Sequence, residues 1–570
     1  MRLHLSIPAG GRSRGYALLL VLAITAASLL ALSSALGWAA NSARQAQRDM
    51  QFRGGAVAAE AAVQRSIGQV VRDFMDQGED YVSGQLSKYR KSVPTSTESK
   101  VWSTCTFTDL RERTGRVNIQ QADSWRFDNL PGRYNGLRGY NLTYEIACAA
   151  VDTANAQEDP VAVRQTLTLA EVPLSCFGVI YWPDLEFCPG GAFAQGGRVH
   201  CNGNIYLEPQ GDLTLGGHVT ASGRIYQSHS PKDPVQRTFG SVKFLGRADA
   251  GLNSYYLPLG TNNSANAMRA LVEVPPIGES ATSALGAQRF YNEADLVILV
   301  YSNKVTATSG LYNKFGTSIG TLVSTGVIRT NLAFFDKRQN RTVRGTELDI
   351  AKFILQYNSI SASLNRQPDV IYIADLRPAD SVYFPALRII NGQTLPAAGL
   401  TIATPNPLYL KGHYNANSAY LGTTNTVTSA SAALAADAIT VLSPTWDDAN
   451  AGKDIKYRKA TDVTVNAALM AGIVPTGNGY YSGGVENYLR LLEDWGTSVL
   501  TFNGSMAALF DSRIATAPWG ATGDIYQTPR ERRWAFDVNL LLESRCPPAM
   551  PVVRLVIRGP LEVGSLAAIQ

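Results

Sequence analysis

Tyr16 to Ala40 is a run of 25 residues without a single charged side chain. As a helix rising ~1.5 Å per residue it spans roughly 37 Å, enough to cross a hydrocarbon core of about 30 Å. Arg2, Arg12 and Arg14 stand ahead of it with no acidic residue, which predicts a cytoplasmic N-terminus and export of the chain beyond Ala40. Three fates fit this stretch. It can remain as a plain signal-anchor helix, or be removed as a secretory signal peptide at the small-x-small site Ser33-Ser34-Ala35. The third fate depends on the residues at its start.

Arg12-Ser13-Arg14-Gly15 leads into Tyr16 and a row of aliphatics. A short basic leader ending in Gly, then an aromatic residue and an apolar helix, resembles the class III leader of type IV pilins and pseudopilins. The resemblance implies that a prepilin peptidase cuts after Gly15 and that Tyr16 becomes an N-methylated first residue. It also implies retention in the inner membrane beside other pilins or pseudopilins, with Leu20, Leu22, Leu29 and Leu36 as helix-packing residues. The fifth mature residue of that family is usually Glu, which pairs with a neighbouring subunit's N-terminal amine. Here it is Leu20. A buried amine without its carboxylate is costly, so the departure implies a minor, tip or priming subunit of the PilX-like kind.

With 570 residues, 45% apolar and only 17% charged, the chain has material for a large core and more than one domain. Fifty Gly and 27 Pro imply many turns and a β bias, and a net charge of +5 gives no warrant for nucleic-acid binding. The six cysteines, Cys105, Cys148, Cys176, Cys188, Cys201 and Cys546, contain no CxxC pair, so a zinc ribbon or thioredoxin-like motif is not expected. Outside the cytoplasm an even count permits disulfides. Cys105 with Cys148 and Cys188 with Cys201 are the preferred pairs, among connectivities that the sequence leaves open.

After the leader (1–15), residues 16–75 read as one pilin-like helix. Its second half carries an apolar stripe at Ala59, Val63, Ile67, Val70 and Phe74, and Arg53-Gly54-Gly55 predicts a kink. Residues 76–172 read as a small β-rich region, because Val101–Phe107, Tyr140–Cys148 and Val161–Ala170 alternate apolar and polar. In 173–246, Gly-x-aliphatic recurs at Gly197/Val199, Gly203/Ile205, Gly211/Leu213, Gly217/Val219 and Gly223/Ile225. Its steps of 6, 8, 6 and 6 residues resemble the repeats of bactofilins and right-handed β-helices. A sandwich of regular hairpins is the other reading.

The period is lost in 247–390, which reads as an inserted mixed α/β region. It holds apolar strands at Asp295–Val300 and Asp369–Ala374 and a helix over Asp349–Tyr357. Lys337, Arg338, Arg341 and Arg344 read as a solvated hairpin. Residues 391–570 return to the repeat, with an amphipathic helix over 485–495 and a C-terminal tail. Ser482-Gly483-Gly484-Val485-Glu486-Asn487, Glu493-Asp494-Trp495 and Trp534-Ala535-Phe536-Asp537 resemble large bacterial proteins with a PilX-like N-terminus, a resemblance that supports the class without supplying chemistry.

The chemistry-bearing residues are sparse. Asp447, Asp448 and Asp454, with Lys453 and Arg458, could form a catalytic or cation site, but they read as well as a loop capping its own backbone. Five histidines, His4, His200, His218, His229 and His413, lack metal spacing; His200 and His218 alternate with the inward aliphatics and are expected to face out. No catalytic residue, metal or cofactor is assigned. The expected fold is mainly β with a long N-terminal α-helix: a pilin-like transmembrane helix plus a right-handed β-helix (solenoid) with an α/β insertion. The expected function is assembly and display. A membrane-anchored periplasmic β-helix enzyme or adhesin acting on polysaccharide is the alternative.

Overall fold

The computed structural model describes residues 16–153, 159–260, 262–302, 320–477, 479–520 and 523–569. Gly15 and the rest of the leader lie outside the described residues. The chain is mainly β with one long helix, α1, which runs from Tyr16 to Gln77. The expected stripe is its buried face: Ala59, Val63, Ile67, Val70 and Phe74 are all fully covered. α1 stays helical through Arg53-Gly54-Gly55, so this segment is not melted. Gly55, Ala58, Ala59 and Ala62 are buried together, and these small residues let the helix lie close on a sheet. That packing offsets the ~1 kcal/mol that each glycine costs a helix interior.

The sheet under α1 is antiparallel. Its strands run in the order Cys105–Thr108, Arg138–Asp152, Val161–Pro173, Val552–Ser565, with Asn118–Gln121 and Arg126–Asn129 also pairing Arg138–Asp152. The last strand corrects the domain reading. Val552–Ser565 is no tail of the repeat region but the edge of the N-terminal sheet, in register from Val552↔Pro173 to Ser565↔Val161. Arg554 fastens it there, donating to Glu171 Oε1 at 2.8 Å and to the Met75 carbonyl of α1 at 3.0 Å. Residues 174–551 are therefore inserted between two neighbouring strands of the helix-bearing sheet.

That insert is built on parallel sheets. Val179, Val199 and Val219 lie in lateral register, as do Leu185, Ile205 and Ile225, and as do Phe193 and Leu213. Successive strands of this segment fall in turn into three separate parallel sheets. Val199, Ile205, Leu213 and Val219 are fully buried in one core, with Ile225 packed against it.

The corner glycines have a steric cause. A Cβ on Gly217 would sit 2.0 Å from the Gly197 carbonyl oxygen, and within a strand one on Gly504 would sit 1.8 Å from that of Ala467. Gly217→Ala is expected to destabilise the insert by about 1–3 kcal/mol through forced separation of stacked strands. Gly68→Ala, where nothing lies within 4 Å of the new methyl on exposed α1 surface, should gain up to ~1 kcal/mol. Thermal unfolding of the two variants checks both signs.

The region expected to be an α/β insertion is part of the same architecture. Leu296–Val300 and Val370–Asp375 are parallel neighbours, and the stack continues through Leu400–Ala403, Ala432–Ala436, Val463–Ile473 and Val499–Asp511. The last of these pairs in parallel with Val179–Tyr181, at Met506↔Val179, so the two stacks join into one sheet. The hairpin Ile328–Asp336/Arg341–Asp349 and the helix Ile350–Leu364 are real, the latter capped by Asp349 accepting from Lys352 N at 3.2 Å.

The helix expected over 485–495 does not form. Val485–Asn487 is a single 3₁₀ turn, and Arg490–Leu491 is a strand paired with Ile439–Leu442. Val485, Tyr488, Leu489, Leu492 and Trp495 are all buried. Their helical spacing is coincidental in a segment covered on every side.

Candidate functional site

The feature that sets this chain apart from an ordinary β protein is the free half of α1. At 62 residues the helix is about 93 Å long, and only its second half has a sheet beneath it. From Tyr16 to Met50 every residue except Ser42 is exposed. Leu20, Leu22, Leu29 and Leu36 stand 63%, 57%, 66% and 62% exposed, and Tyr16 and Trp38 mark the two ends of the apolar run at 75% and 74%. No azimuth of the helix is apolar in preference to another, which suits lipid or a surround of other helices rather than a soluble groove. Two of its hydroxyls are satisfied internally: Thr25 donates to the Val21 carbonyl at 2.8 Å and Ser33 to that of Leu30 at 2.9 Å. That removes a cost that unpaired groups would carry in hydrocarbon. Arg44, Arg48, Asp49 and Arg53 are the first charged residues after the run. The helix is long and apolar enough to cross a membrane. Its first turn carries no carboxylate, Leu20 being among its earliest residues.

The expected disulfides are not brought together. All six cysteines are thiols. Cys105 lies opposite Asp152, not Cys148, and four strand residues are roughly 13 Å, beyond the ~4.4–6.8 Å that a disulfide spans between Cα atoms. Cys188 is held near Glu486, its amide facing that carboxylate at 3.4 Å, while the Cys201 thiol donates to the Pro183 carbonyl at 3.2 Å. Local alternation placed Cys105 and Cys148 on strands without saying where the next strand lies.

On the insert, a cleft of about 400 Å³ is lined by Arg329, Glu347, Arg388, Asn391, Lys411 and His413, among others. Parallel register sets Glu347 beside Arg388. Arg388 donates to Glu347 Oε2 at 2.7 Å and to Asp448 Oδ1 at 2.6 Å, and Arg329 reaches Glu347 Oε1 at 3.4 Å. Sequence reasoning missed this group, because its members come from separate rungs. Asp447 behaves as the capping reading expected, accepting from Ala449 N at 3.0 Å. Among the described residues no three or more His, Cys, Asp or Glu side chains are placed to hold a metal.

A second, much smaller cavity of about 20 Å³ lies among Glu186, Arg338, Ser482, Asn487 and Arg490, space for about one water and not for a sugar ring. Arg338 corrects the solvated-hairpin reading: burial and the neighbouring Arg490 pull its guanidinium down to about 9. Lys337 instead pairs with Asp524 at 2.6 Å, and Arg344 stacks 3.8 Å over the Tyr383 ring. His200 is another correction. It points away from the interior of the stack but is covered by Tyr255, stacked at 3.6 Å, and burial pulls it down to about 3.

Burial pushes the Glu486 carboxyl up to about 7, although the Tyr481 hydroxyl donates to it at 3.1 Å. Unfolded, such a group titrates near ~4.3. Between these values the folded chain holds a proton that the unfolded chain has released. Its contribution therefore makes stability fall as pH rises from about 4.3 to about 7, and level off above. Glu486→Gln is expected to recover roughly 3 kcal/mol at pH 8 and almost nothing at pH 4, read by urea unfolding at the two pH values.

No protein-family model and no curated protein matches the chain. Among solved structures, the competence-associated pilin ComZ from Thermus thermophilus is similar over 90% of this chain and 98% of that one, at 8% identity and a TM-score of 0.30. A superposition of that quality identifies neither fold nor function.

Proposed function

We propose that this protein is a non-enzymatic minor pilin- or pseudopilin-like subunit of a type IV pilus or type II secretion-like assembly. In this reading the prepilin peptidase cuts after Gly15, and Tyr16 becomes the first residue. The free half of α1 packs in the inner membrane and then among other pilins. The inserted parallel sheets, a right-handed β-solenoid, are displayed on the outer side. The observation that carries the reading is α1 itself: one unbroken helix, bare and uncharged over its first 25 residues and seated on an antiparallel sheet over its second half.

Mass spectrometry of the N-terminus from the native host tests it, with a chain starting at N-methyl-Tyr16 as the expected result. A start at Leu36 would establish a signal peptide, and an intact Met1 a simple anchor. The cleft at Arg388 favours a second reading, an anchored adhesin or enzyme acting on polysaccharide. Among the described residues no Phe, Tyr or Trp side chain lines that cleft to stack on a sugar ring, so the first reading stands ahead.

A further inference from the structure

Two cysteines outside the expected pairs flank the junction between the helix-bearing sheet and the insert. Cys176 ends the 3₁₀ turn Leu174–Cys176 directly after strand Val161–Pro173. Cys546 comes directly after the turn Glu543–Arg545, shortly before strand Val552–Ser565. The two chains that leave the sheet as neighbours thus each carry a thiol as they enter the insert. Both thiols donate to one acceptor, the Leu540 carbonyl, at 3.4 and 3.8 Å. They also face each other: the contact raises the Cys176 thiol and lowers that of Cys546. Cys176 is 1% exposed, whereas Cys546 is half-buried beside exposed Leu542 and Glu543. Among the described residues, Cys105, Cys148 and Cys201 donate elsewhere, to the carbonyls of Val101, Thr108 and Pro183 among others.

We propose that Cys176 and Cys546 form a disulfide that clasps the base of the insert. The chemistry is thiol–disulfide exchange with a disulfide oxidant, whether a dithiol oxidoreductase or a small-molecule disulfide. The Cys546 thiolate, the more accessible and the more acidic, attacks one sulfur of the oxidant and expels its other sulfur as a thiol. Cys176 then attacks the mixed disulfide at Cys546, closing the bond and releasing the second oxidant thiol. Two electrons pass to the oxidant, and the two thiol protons end on its two sulfurs. The inference goes beyond the pilin-like reading and does not rest on it, since it requires only access to an oxidant.

The test uses the full chain, purified in detergent and equilibrated with oxidised glutathione. Remaining thiols are then alkylated and peptides mapped without reduction. The expected result is one cross-link, Cys176 to Cys546, with Cys105, Cys148, Cys188 and Cys201 alkylated. Cys546→Ser should leave Cys176 as a thiol or a glutathione adduct with no new cross-link. Full alkylation of all six thiols after equilibration, or cross-links between other pairs, would overturn the proposal. The mapping reads the same whether or not the chain is ever cut at Gly15.

Discussion

Leu29→Arg is expected to abolish retention in the membrane, while Asp447→Asn leaves the protein working as before. Leu29 sits next to the midpoint of the uncharged run and is 66% exposed in the isolated chain, so an arginine there has no protein partner and meets lipid or another helix. A charge at helix centre costs about 2.5–3.5 kcal/mol on insertion scales, roughly a hundredfold shift in partition. Leu20→Arg lies nearer the end, where a long side chain can reach the headgroups. It should insert better than Leu29→Arg yet fail in assembly, because its surface is the one offered to neighbouring helices. Asp447 is exposed and bonds only within its own loop, so its loss should stay within about 0.5 kcal/mol. The measurement is membrane fractionation, then pilus number or secretion, at matched protein levels. Loss of function in Asp447→Asn with full function in both arginine variants would hand the case to the enzyme reading.

A chain stopped after Pro551 is expected not to hold its helix-bearing sheet at all, although it lacks only residues 552–570. The deletion removes an edge strand with twelve register pairs to Val161–Pro173, and with it the buried Val553, Leu555 and Ile569. Three such side chains represent roughly 5–9 kcal/mol of burial, comparable with the whole ~5–15 kcal/mol stability of a domain. Arg554 is lost too, and with it the tie to α1. Limited proteolysis should find the region from Gly55 to Pro173 protected in the full chain and open in the truncated one. Equal protection in both would mean that the C-terminal strand is an accessory.

The sequence reported well on whatever is local. The α1 stripe comes from helical spacing, and the buried aliphatics from glycine corners that recur within a few residues. It reported badly on partners distant along the chain. Residues 552–565 fall in the expected C-terminal tail, and nothing in their local pattern names Val161–Pro173 as a neighbour. Leu296–Val300 and Val370–Asp375 looked foreign to the repeat because the connections between rungs are long and irregular there, while the lateral register that unites them is invisible to local spacing. The segment Val485–Trp495 failed for a different reason: periodicity separates a helix from a strand only where one face meets water, and here none does. Glu347 and Arg388, and Cys176 and Cys546, are groupings made by tertiary structure alone.

The seam at Met506↔Val179 has a consequence in time. Val179–Tyr181 is made early and its pairing edge stays open until Val499–Asp511 emerges, roughly 300 residues later, which at ~5–20 residues per second is roughly 15–60 s of synthesis. The second stack meanwhile grows rung by rung toward that waiting edge, so the strand that joins the halves comes late, with only Glu531–Phe536 added to the same sheet after it. Until then the nascent chain displays an unsatisfied β edge, the kind of surface that recruits chaperones or pairs with the wrong strand. Closing that seam needs contacts between segments far apart in sequence, the kind that form slowly, and until then the open edge is exposed to aggregation.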